Sequence, residues 1–154
     1  MLAEILRAHP VVRGEVLDLA PSATAAADRF AADGLAGRAG AVAGSFFDPL
    51  PAGADAYVLS DVLHDWDDDH ARTILAGCRR AAGRSGTVVV IEPLRHGTST
   101  AINLFMLMCF AGRERTVAEL TNLAAGCGLA LRGTTEVAEG RTALEFAAAP
   151  EQSA

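Results

Sequence analysis

The run Thr87-Val-Val-Val-Ile91 limits the folds open to this chain more than any other stretch. Side chains branched at Cβ are stiff at χ1 and suit a pleated backbone. Because the run does not alternate with polar residues, it predicts a strand covered on both faces, which is the habit of parallel sheets. Parallel strands need a crossover between them, and the sequence just upstream supplies one. Ala56 to Ser60 (AYVLS) reads as a strand, and from about Asp67 to Ala82 the residues Ala71, Ile74, Leu75 and Cys78 recur at helical spacing before Gly83 ends the helix.

The same alternation extends in both directions. Leu2 to Ala8 reads as an amphipathic helix stopped before His9-Pro10, since the residue ahead of a proline is biased away from helical angles. Glu15 to Leu19 is a short strand, Pro21-Ser22 opens an Ala-rich helix to about Asp33 with Gly34 just past its end, and Ala41 to Phe46 is a weaker strand. Ile102 to Phe110 predicts another helix. Thr116-Val-Ala-Glu119 is a capping box opening one more, which ends near Gly126 or Gly128. Leu129 to Val137 and Thr142 to Ala148 flank Glu139-Gly140 and read as an antiparallel hairpin. The expected class is α/β, an open sheet with helices on both faces and a hairpin closing the chain.

The 154 residues suit one domain and leave no room for a second. Net charge is −6, every basic residue is Arg, and the arginines are scattered, which argues against nucleic acid or an anionic membrane surface as partner. Cys78, Cys109 and Cys127 are odd in number and lack CxxC spacing, so neither a disulfide framework nor a zinc site is indicated and a reducing cytoplasm is the expected setting. No signal peptide or membrane span is read: Glu4 interrupts the first apolar stretch, and Asn103 the longest one.

Ligands of open α/β sheets bind at the carboxyl ends of the strands. Three such ends carry candidates: Asp18-Leu19, the stretch Ser60-Asp61 leading to His64, and Glu92. A carboxylate can accept two hydrogen bonds, so Asp18 suits the hydroxyls of a ribose; it equally suits a turn that bonds its own backbone. His64, in LHDWDDD, suits a general base near neutral pH, or a plain loop and capping role. Asp65, Asp67, Asp68 and Asp69 fit the dipole and free N–H groups of a helix start, and their spacing matches no calcium loop, so no metal is assigned. Glu92 and Glu114 are each either a solvated charge or, were both to reach one imidazole, the groups that fix its tautomer and raise its basicity.

The segment VLSDVLHDWDDDHARTILAGCRRAAGRSGTVVVIEPL, followed by NLFMLMCFAGRERTVAELTNLAAGCGL, resembles the catalytic half of S-adenosylmethionine-dependent O-methyltransferases of the plant and actinobacterial natural-product type. The LHDW, VVxxE and GRERT elements stand in that family's order and spacing. The resemblance implies a Rossmann-like methyltransferase sheet, S-adenosyl-L-methionine as cofactor, and transfer of a methyl group to a hydroxyl of a small aromatic acceptor. By the same resemblance His64 is the base, flanked by Glu92 and Glu114. Asp18, Leu19, Ser45, Phe46 and Ser60 face the cofactor, and Asp65, Asn103 and Met106 face the acceptor.

In that family a first core strand and a glycine-rich cofactor loop precede the equivalent of Met1. Residues 1–154 are therefore expected to be a single, incomplete catalytic domain, truncated at its N-terminus and lacking the first core strand. Its expected protein partner is a second copy in a homodimer or a complementing N-terminal segment. The alternative is a non-catalytic binding module derived from the same fold. A Rossmann oxidoreductase is disfavoured because the sequence has no GxGxxG.

Overall fold

The structure is a computed structural model and describes residues 1–94, 112–137 and 140–150. The expected helix over 102–110, with Asn103, Met106 and Cys109, and the Glu139 half of the expected turn lie outside the described residues. The chain divides into two compact units, Met1–Asp48 and Pro49–Ala154.

The first unit runs α1 (Leu2–Ala8), β1 (Gly14–Asp18), α2 (Ala20–Ala32) and β2 (Ala39–Ala43). Its core is Leu6, Phe30 and Leu35, with Leu2, Val16 and Ala26 packed around them. Proline stands in the first turn of α2, where a missing N–H costs nothing. At the other end of α1 the Arg38 guanidinium donates to the carbonyls of Leu6, His9 and Val12 at 2.8, 3.2 and 3.0 Å, gathering groups that the helix end leaves without partners. β1 and β2 pair in parallel, Gly14 against Ala39 through Asp18 against Ala43. That register corrects the expected second strand: it starts at Ala39 and ends at Ala43, so Ser45 and Phe46 belong to the loop beyond it.

The second unit runs β3 (Ala56–Ser60), a 3-10 turn (Leu63–Asp65), α3 (Asp68–Ala82), β4 (Thr87–Pro93), α4 (Val117–Gly126), β5 (Leu129–Glu136) and β6 (Arg141–Ala148). Its sheet has the order β3-β4-β6-β5, with β3 parallel to β4 and the other pairs antiparallel. Asp67 caps α3 by accepting from the amides of Asp69 and His70, and the Thr116–Glu119 capping box opens α4. The helix-ending glycines Gly34 and Gly83 have φ of 69° and 61°, a region that other residues enter only with strain.

β4 departs from expectation in two ways. Its residues alternate between buried and half-buried, so among the described residues only the face of Val88, Val90 and Glu92 is fully covered. The strand also runs on to Pro93, because pairing with β6 continues through Glu92 against Thr142 and Pro93 against Arg141. Glu92 is therefore the last member of a buried column of side chains rather than a residue after the strand. β1 and β3 each pair on one side only among the described residues, and Val58 of β3 is 44% exposed.

Candidate active site

At the carboxyl end of β3 the chain turns sharply. Asp61 takes φ of 54°, a left-handed conformation in which Asp is several-fold enriched among non-glycine residues, while its amide still bonds the Ile91 carbonyl at 3.0 Å. Its carboxylate accepts twice from Arg141 Nε, at 2.9 and 3.1 Å, a partner that the β4–β6 register delivers next to Glu92.

Glu92 is only 2% exposed, and a buried carboxylate is costly unless its oxygens are bonded. Both oxygens have partners. Oε1 accepts from the amides of Val62 and Leu63 at 3.1 and 2.7 Å, which orients the backbone of the turn. Oε2 meets Nδ1 of the His64 ring in a short hydrogen bond. A neutral imidazole with its Nδ1 proton held by a carboxylate presents a lone pair at Nε2. Asp65 Oδ1 stands 3.4 Å from that nitrogen.

His64 is mostly buried, its pKa pushed above the ordinary histidine value by the hydrogen bond to Glu92 first of all. Burial opposes the shift, and the charges of Glu92, Asp65 and Asp61 add to it. Ligand atoms of Asp61, His64 and Glu92 lie within 4.8 Å of one another, and each of the three is already bonded within the protein.

Of the expected catalytic residues, the structure thus brings Glu92 onto His64. Glu114 is half-buried on the segment that leads into α4, one residue ahead of Arg115. Ser60 closes β3 opposite Ile91. Sequence reasoning named Asp61 only as part of the stretch leading to His64, and it missed Arg141 and Arg115. It also gave Asp68 the same role as its neighbours, whereas Asp67 caps α3 and Asp68 pairs with Arg115 at 2.9 Å. An arginine immediately before a capping box was the one available signal.

In the first unit, the parallel register places Asp18 and the Gly44–Phe46 loop side by side at one strand end, with the Gly44 amide on the Asp18 carbonyl at 2.9 Å. Asp18 is exposed and accepts from the Leu19 amide at 2.7 Å, and Leu19 is 63% exposed. Phe46 and Phe47 pack edge to face with centroids 5.1 Å apart. An open carboxylate beside apolar and aromatic side chains suits a nucleoside, with its hydroxyls on one side and its flat base on the other.

The O-methyltransferase domain family matches residues 1–130, most of the chain. The chain belongs to that family. A 2,7-dihydroxy-5-methyl-1-naphthoate 7-O-methyltransferase of Streptomyces carzinostaticus is 54% identical over 134 residues, 86% of this chain and 40% of that protein. An O-methyltransferase from neocarzinostatin biosynthesis, solved with S-adenosylmethionine and 2-hydroxy-5-methyl naphthoic acid, superposes with a TM-score of 0.91 at 51% identity, covering 96% of this chain and 45% of that one. An aclacinomycin 10-hydroxylase of Streptomyces purpurascens is 40% identical over 166 residues, all of this chain and 44% of that protein. The O-methyltransferase domain described here spans less than half the length of these relatives. The α/β class expected from strand and helix order, with the Rossmann-like sheet that the resemblance implies, is the fold of its structural relatives. Among the described residues no helix is long and apolar enough to cross a membrane.

Proposed function

We propose that this chain is the catalytic region of an S-adenosylmethionine-dependent O-methyltransferase that methylates a hydroxyl of a small aromatic, natural-product-like acceptor, with His64 as general base. Relatives in the family are named for methyl transfer and for hydroxylation, so membership leaves the reaction open. The observation that carries the reading is the His64–Glu92 couple, in which a buried carboxylate orients an imidazole to take a proton at Nε2.

A phenol ionises near pH ~10, so a positioned base lowers the barrier at neutral pH, and such help is typically worth ~10²–10⁴-fold. S-adenosylmethionine, when bound, supplies the electrophilic methyl group. Asp18 would hold its ribose hydroxyls with Leu19 beside it, Ser45 and Phe46 its adenine side, and Ser60 its methionyl end. Glu92 keeps the His64 ring in one tautomer, Glu114 flanks it, and Asp65 lines the acceptor side with Asn103 and Met106. S-adenosyl-L-methionine and the hydroxyl acceptor are the ligands this assigns, and a second copy or a preceding segment is the protein partner.

Calorimetry with S-adenosylhomocysteine tests the cofactor assignment on the full chain: binding is expected, and weaker binding in Asp18→Ala. A wild-type chain that does not bind overturns it. The base is tested in a chimera where the chain replaces the matching region of the naphthoate 7-O-methyltransferase. His64→Ala there should lower turnover by ~10²–10⁴-fold with little change in cofactor affinity; an unchanged rate removes His64 from the mechanism.

A further inference from the structure

The turn that carries His64 is a single 3-10 turn, Leu63–Asp65. One turn of that kind has poor hydrogen-bond geometry and too few bonds to hold its own shape. Whatever fixes the direction of the imidazole must come from elsewhere in the chain.

Glu92 supplies half of it by accepting the amides of Val62 and Leu63. The other half comes from the segment 112–115. The side chain of Arg115 is only 1% exposed. Its Nη1 donates to the Leu63 carbonyl at 2.7 Å, its Nη2 to the Trp66 carbonyl at 2.7 Å and to Asp68 at 2.9 Å, and its Nε to Asp68 at 3.0 Å. The two carbonyls lie on either side of the His64-Asp65 dipeptide. The peptide links at Leu63 are thus gripped at both ends, N–H by a buried anion and C=O by a buried cation.

Gly112 seats this clamp. A Cβ there would fall 2.0 Å from the His64 carbonyl oxygen and 2.6 Å from the Asp65 carbonyl carbon, so the backbones touch and only glycine fits. A guanidinium has five N–H donors in a planar fork, and burying it is costly unless they are bonded. The Arg115 guanidinium meets that requirement with Asp68 and with two carbonyls of an otherwise weak turn.

We propose that Arg115, seated by Gly112, is the positioning residue of the base: it clamps the carbonyls flanking His64 and so keeps the imidazole on Glu92. The proposal deepens the general-base reading, on which its meaning for turnover rests. Its test needs no methyl transfer, and the two can fail separately.

Among the described residues the imidazole faces Glu92 of β4, Asp65 of the turn and Asp61 after β3, itself bonded to Arg141 of β6, and on the proposed reading Glu114 flanks it as well. The experiment is a nuclear magnetic resonance titration of the full chain, with the His64 signal identified among its four histidines by a His64→Gln variant. Wild type should show a far-downfield proton for the His64–Glu92 bond and a His64 midpoint above that of an ordinary histidine. In Arg115→Gln the downfield proton should disappear and the midpoint should fall. Loss of a neighbouring positive charge by itself moves a histidine midpoint upward, so a fall separates lost positioning from lost charge.

Asp68→Asn keeps both carbonyl bonds but loosens the guanidinium, and its downfield proton should weaken; its midpoint is not scored, because losing a nearby negative charge by itself lowers a histidine midpoint. It carries the test if Arg115→Gln does not fold. An unmoved downfield proton in either variant despite lowered thermal stability, or a raised midpoint in Arg115→Gln, overturns the proposal. If the signals move as expected while the chimera transfers no methyl group, the clamp stands and the methyltransferase reading falls.

Discussion

The carboxyl end of β1 and β2 and the carboxyl end of β3 and β4 are built from the same kind of parallel strand pair, yet they are held in opposite ways. At the first, side-chain bonds are local: Asp18 to the next amide, and Ser45 to the amide two residues on. At the second they reach across the chain, Glu92 to a turn 28 to 30 residues back, Arg141 to Asp61 over 80 residues, Arg115 to Leu63 over 52. On the proposed function the first edge grips a nucleoside, and its carboxylate stays open to solvent until the ligand arrives. The base proposed at the second must keep one tautomer and one direction, and that calls for buried partners behind the ring and under its turn.

Removing the buried partner breaks this contrast most severely. Glu92→Ala leaves the His64 ring and two amides without their acceptor and should cost ~3–5 kcal/mol, read from urea unfolding. A loss under about 1 kcal/mol would show that the second strand end is held no more tightly than the first.

A smaller effect belongs to the helix that carries the clamp segment. Thr116→Ala removes the cap of α4 and should cost ~1 kcal/mol. The bonds from Thr116 and Arg113 hold the Glu119 carboxyl down at about 2. Its folded pKa is lower than the unfolded one, so its contribution is present above the ordinary carboxylate range and is lost as pH falls toward that value. Acid unfolding of Thr116→Ala should begin at higher pH than that of wild type.

His64 gives the contrast a pH signature of opposite sign. Its pKa is raised on folding, so the stabilisation is complete below the ordinary histidine value of ~6.5 and is lost as pH rises through the folded value. Wild type should lose stability over that window relative to His64→Gln, while unfolding followed at the two pH extremes brackets the effect. Parallel curves would mean the imidazole is not held by Glu92.

The smallest stability effect should come from the open edge. Asp18→Ala should change unfolding by less than ~0.5 kcal/mol, the range of surface substitutions, while weakening S-adenosylhomocysteine by about tenfold or more, because a bond to a charged acceptor is worth ~1.5–3 kcal/mol. A large stability loss with unchanged affinity would reverse the comparison.

What could be read from the amino acids alone were the features written in short windows. The helical spacing from Ala71 to Cys78, the cap at Thr116 and Glu119, the β-branched run of β4 and the glycines that end α2 and α3 all act within a few residues, where side-chain period and local hydrogen bonding decide the backbone. The site was legible only as a set of candidates. That His64 rests on Glu92, that Arg141 arrives beside it and that Arg115 closes over the turn depend on strand register and on burial, quantities that exist only between distant stretches of chain. Burial then selects among the candidates, because a charge removed from water must find its partners or titrate away.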